Sequence, residues 1–81
     1  MGYVVKEEDS QAGEVTRRGP FVTEQEARMA LGNLIEQAYD FNPRLATANV
    51  RQEVEDAVRD GRTECLDAKG NLVCRYTIEQ E

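Results

Sequence analysis

The tightest constraint in this chain is a helix start signal, Thr23-Glu24-Gln25-Glu26, with an apolar stripe behind it. The Thr23 hydroxyl is placed to accept from the Glu26 amide while the Glu26 carboxylate reaches back, which is the reciprocal arrangement of a capping box. Ala27, Ala30, Leu31, Leu34, Ile35 and Ala38 then recur at three- and four-residue intervals, predicting an amphipathic helix. It should end near Tyr39 to Phe41, because the residue before Pro43 is pushed out of the helical conformation. Gly32 inside it costs about 1 kcal/mol relative to alanine, so a close neighbour at that position is expected. Glu24 and Arg28 form an i, i+4 pair on the opposite side. Tyr39 and Phe41 read as core or loop packing.

A second helix follows. Asn49 is a good N-cap with Gln52 at the third helical position, and Val50, Val54, Ala57 and Val58 make its apolar stripe. Arg51, Glu55 and Arg59 form successive opposite-charge pairs at i, i+4. Gly61 supplies the left-handed stop.

Strands flank the helices. Tyr3 to Lys6 and Gly13 to Arg18 read as short strands joined by the polar segment Glu7 to Gly13, and Gly19-Pro20 breaks or bends the chain. Near the C-terminus, Leu72, Cys74, Tyr76 and Ile78 alternate with Val73, Arg75, Thr77 and Glu79, a strand with one apolar face. Thr63 to Leu66 is its partner across a turn within Asp67 to Asn71. The expected architecture is a single α+β domain over residues 1–81, in the order ββααββ. It has a four-stranded antiparallel sheet of two hairpins, packed on one face by two helices.

Cys65 and Cys74 test the register of the second hairpin. A two-residue turn at Lys69-Gly70 puts Cys65 opposite Cys74. A three-residue loop with Gly70 in a bulge instead puts Leu66 opposite Leu72 and Glu64 opposite Cys74. The thiols are read as reduced core residues, an intramolecular disulfide, or a disulfide linking two chains.

Sixteen acidic residues against ten basic give a net charge of −6, with no histidine. Nucleic-acid binding needs a basic footprint, and the only adjacent basic pair is Arg17-Arg18. The balance therefore points away from direct nucleic-acid contact and toward a basic protein partner, itself of the nucleic-acid-binding kind. Without histidine there is no Ser-His, Cys-His or His-metal arrangement. Ser10 is the only serine, the glycines form no phosphate-binding pattern, and two thiols cannot make a four-ligand zinc site. No catalytic residue, metal or cofactor is predicted. Apolar runs of two or three residues fall far short of a membrane span. The N-terminal segment turns acidic by Glu7, unlike a secretory signal, so the expected compartment is the cytoplasm.

Two acidic clusters are candidate binding surfaces. Glu53, Asp56 and Asp60 lie on one side of the second helix, about 4.5 and 6 Å apart along its axis. That approaches the spacing of phosphates along a nucleic-acid strand. Glu7, Glu8 and Asp9 form the second cluster. The competing expectation is a self-associating module, a homodimer through an edge strand or the cysteine hairpin.

The stretch Arg18-Gly19-Pro20-Phe21-Val22-Thr23-Glu24-Gln25-Glu26-Ala27 resembles the strand-to-helix junction of SPOR-type peptidoglycan-binding domains and of phage-integrase arm-binding domains. The two successive helices do not fit either topology. In size, acidity and lack of catalytic groups the chain resembles phage-encoded inhibitors, notably anti-CRISPR proteins. That resemblance implies a non-enzymatic protein that occupies the DNA-binding surface of a CRISPR effector complex and blocks DNA access.

Overall fold

The computed structural model describes residues 2–46 and 49–81. The elements are β1 (Tyr3–Asp9), β2 (Glu14–Phe21), α1 (Glu24–Phe41), α2 (Val50–Asp60), β3 (Arg62–Leu66) and β4 (Leu72–Gln80). The class is α+β, with element order ββααββ and four antiparallel strands arranged β2-β1-β4-β3. Each hairpin keeps its own pair together, and the two hairpins join through β1 and β4.

The strands run further than the residue pattern predicts. Glu7, Glu8 and Asp9, read as part of a link, continue β1 because each has a partner on both sides; Glu7, for example, faces Thr16 and Tyr76. Backbone pairing on two sides outweighs the polar side chains. β2 likewise passes through Gly19-Pro20 to Phe21, with a register shift where Val4 is passed over between Tyr3 and Val5. The Gly19–Pro20 peptide is cis. Proline is accommodated here because β2 is an edge strand and a missing amide leaves no inner ladder incomplete.

The cysteine hairpin combines both expected registers. Asp67 closes the loop: its backbone amide donates to the Asn71 carbonyl at 2.9 Å, and its carboxylate accepts from the Lys69 and Asn71 amides. Gly70 takes the left-handed conformation, φ 85°. That three-residue loop sets Leu66 against Leu72, and a bulge beside it then restores Cys65 opposite Cys74. The extra residue, Val73, is fully buried beside Cys74. Ser10 anchors the bulge from the other hairpin, its amide donating to the Val73 carbonyl at 3.1 Å and its hydroxyl to the same carbonyl at 3.1 Å.

One core cluster joins Val5, Cys65, Val73, Cys74 and Tyr76 of the strands to Ala27, Leu31, Ile35, Leu45 and Ala57. Full burial of each large aliphatic among them contributes roughly 1.5–3 kcal/mol. Tyr39 packs partly against this cluster, whereas Phe41 stays 82% exposed and is not core.

Both helices start as the sequence predicts, with Thr23 Oγ1 accepting from the Glu26 amide at 3.1 Å and Asn49 Oδ1 from the Gln52 amide at 3.1 Å. The Glu26 carboxylate reaches the Val22 amide, one residue before the cap. Gly61 ends α2 in the left-handed conformation, φ 71°.

The helices are drawn together at Gly32. A Cβ there would lie 2.8 Å from Val58 Cγ2 and 3.4 Å from Val54 Cγ1, so only glycine lets α2 come this near. Arg28 ties the same pair one turn away on α1. Its guanidinium binds Glu24 at 2.8 Å and also donates to the carbonyls of Val58 (3.0 Å) and Arg59, the orphan acceptors of the last turn of α2.

Three outcomes by urea unfolding check this contact. Gly32→Ala should destabilise, because overpacking costs about 1–3 kcal/mol against a propensity gain of about 1 kcal/mol. In a Val58→Ala background the same change should become stabilising. Arg28→Ala should cost about 1–3 kcal/mol, since charged hydrogen bonds to helix-end carbonyls are lost.

Candidate functional site

The six acidic candidates occupy separate places in the fold. Strand alternation splits the first cluster, because successive residues of β1 face opposite ways. Glu7 and Asp9 share the face of Val5, while Glu8 lies on the other face with Lys6, 3.3 Å away. Glu7 accepts from the Tyr76 hydroxyl at 3.1 Å and sits 3.6 Å from Arg18. Asp9 holds the first hairpin turn: its carboxylate accepts from the Gln11 and Ala12 amides at 2.9 and 3.0 Å, with Arg44 3.5 Å away. Those amide hydrogen bonds hold its pKa below the ordinary 3.8.

On α2, Arg59 sits between Asp56 and Asp60, 3.2 and 3.0 Å from them. This replaces the expected Arg59–Glu55 pair, since two nearer carboxylates are available, and it sets a positive charge within the expected phosphate-like row. The hydrogen bond from Arg59 also lowers the pKa of Asp60. Glu53 has no ion pair among the described residues and flanks the core side of α2, where its charge helps raise the pKa of Tyr39. Burial is the larger cause of that rise.

Two carboxylates on α1 that the residue pattern did not single out are among those left without a partner. Glu36 and Asp40, one turn apart on α1, form no ion pair or side-chain hydrogen bond among the described residues, and both are exposed. The last turn of α1 carries no basic residue. Like charges at i, i+4 are destabilising by about 0.2–0.5 kcal/mol. A negative charge at a helix C-terminus adds a penalty of about 0.3–1 kcal/mol. With Val50, Arg51, Val54 and Glu55 of α2 they line a groove of about 480 Å³ between the helices. Val54 is the same side chain that packs against Gly32. Arg51 is 90% exposed and 3.5 Å from Glu55, a weak screen for the groove's charge. The available signal was a like-charge pair in the final turns; Arg44, four residues after Asp40, lies beyond the helix and turns to Asp9 and Gln11 instead.

The thiols are free and buried. Burial, then the neighbouring Cys74, pushes Cys65 up to about 12, and burial raises Cys74 as well. Burial also raises Tyr76, with the Glu7 charge as the next cause. Neutral thiols of this kind are poor nucleophiles at pH 7. Among the described residues no group of three or more Cys, Asp or Glu is placed to hold a metal ion. No helix there is long and apolar enough to cross a membrane.

Comparison with protein-family models, curated proteins and solved structures finds no match for this chain.

The thiols give a direct check. Because their folded pKa values are raised, stability is unaffected by them below about pH 9 and falls as pH climbs toward 12. At pH 8 a chromogenic disulfide reagent should label neither thiol in the native chain and both after denaturation. Rapid labelling of the folded chain would contradict this burial.

Proposed function

We propose that the chain is a non-enzymatic binding domain that docks acidic surface onto a basic, nucleic-acid-binding protein and blocks that protein's access to DNA. The observation that carries the reading is the groove between α1 and α2. Glu36 and Asp40 stand there unpaired beside Val50 and Val54, at a cost to the folded helix. A basic side chain set over an apolar floor fits such a groove, with the carboxylates steering approach and the valines excluding water.

The reading takes both helices to sit on the sheet face of Val5, Cys74 and Tyr76, so that the groove opens outward. It moves the docking surface from Asp56 and Asp60, which share Arg59 as a counter-ion, to the adjoining side of the helix pair. A CRISPR effector complex belongs to the partner class, in keeping with the anti-CRISPR resemblance in size and charge. The cytoplasm is the matching compartment, where the paired thiols stay reduced.

The test is capture of partners from the native host on the immobilised chain, followed by titration with salt and duplex DNA. Affinity should fall steeply with salt, and DNA should compete. Glu36→Lys with Asp40→Lys should weaken the complex at least about tenfold, equivalent to about 1.4 kcal/mol, while Asp56→Lys with Asp60→Lys changes it little. A complex indifferent to salt and to DNA would remove the reading.

A further inference from the structure

The sheet has two edges, and among the described residues β2 is the one with no other segment paired to its outer side. The β3 edge is met near its end by a neighbouring segment: Leu45 bridges to Asp67, and the Ala46 amide donates to the Leu66 carbonyl at 3.0 Å. β2 has no such cover, and Glu14 to Pro20 are all exposed. Such a strand is a template for further pairing unless something blocks it.

The usable part of this edge is bounded. Gly13 turns the chain at one end with φ 70°, and at the other Gly19-Pro20 shifts the register and removes an amide. Five residues remain, Glu14 to Arg18, with Thr16 at their centre.

Two copies of β2 related by a two-fold axis must pair antiparallel with some residue opposite itself. Centring on Arg17 or Arg18 sets arginine against arginine, and centring on Val15 leaves Glu14 opposite Thr16. Centring on Thr16 alone puts Glu14 opposite Arg18 twice, on one face of the sheet, and Val15 opposite Arg17 on the other. Opposite charges directly across strands are favourable, and Glu14 has no ion pair within its own chain among the described residues. Arg18 also lines an open groove with Leu34 and Phe41 at this edge.

We infer that the chain forms a symmetric dimer by antiparallel pairing of β2 with β2 of a second copy, centred on Thr16, giving a continuous eight-stranded sheet. This interface is independent of the acidic groove and stands or falls separately from it.

Light scattering with charge-reversed variants tests it. The wild type should have twice the 9.2 kDa chain mass. Glu14→Arg and Arg18→Glu should each give single chains with native circular dichroism. Mixing the two should restore the double mass, because each altered residue then faces an opposite charge on the other chain. Arg18→Glu also removes the neighbour of Glu7, so Thr16→Cys supplies a test that does not need it to fold. Mild oxidation should link that variant to itself faster than Val15→Cys. A wild type of single-chain mass at every concentration overturns the proposal, as does a Glu14→Arg dimer. Folded variants that fail to re-associate, or no preference for linkage at position 16, overturn it as well.

Discussion

The close approach of the two helices at Gly32 is the contact on which the rest of the arrangement depends. Without a Cβ at that position, Val54 and Val58 of α2 settle directly against α1, and Arg28 can reach the last carbonyls of α2. Helix axes normally lie about 8–10 Å apart, and small residues permit the lower end. The two helices are joined there as a pair. They meet the core through Ala27, Leu31, Ile35 and Ala57, and β2 remains exposed along nearly its whole length. The groove that presents Glu36 and Asp40 also borders this contact, because Val54 belongs to both.

Charge is handled unevenly over the molecule. Glu8, Asp9, Glu24, Asp56, Asp60 and Glu64 each sit within 3.5 Å of a Lys or Arg nitrogen, and Asp9 and Asp67 also hold turns together through backbone amides. These carboxylates lie beside compensating cations or hold turns, so the net charge of −6 comes from the carboxylates in excess of the ten basic residues. Glu36 and Asp40 are different: neither shape nor turn geometry requires them, and the helix they occupy is weakened by them.

The two helices were legible in the residues because their signals are local. Thr23, Asn49 and Gly61 act within one turn, and the apolar stripes repeat every three or four residues. Strand limits were not, since Glu7 to Asp9 become strand only through partners up to about seventy positions away in sequence. The cysteine register combined two alternatives because a bulge at Val73 has no sequence signature of its own. The acidic candidates were drawn from spacing along one element. That spacing cannot register that strand alternation parts Glu8 from Glu7 and Asp9, or that Arg59 turns toward Asp56 and Asp60. For Tyr39 and Phe41, core or loop packing is the expectation, and Phe41 at the end of α1 stays exposed.

The measurement that bears most directly on the account is the stability of Glu36→Gln with Asp40→Asn, followed by denaturant unfolding at low and high salt. If the two carboxylates are held for binding, their removal should stabilise the fold by a few tenths to about 1 kcal/mol at low salt, and the gain should shrink as salt screens it. A loss of stability would show that Glu36 and Asp40 support the structure, and the case for a docking groove between the helices would fail.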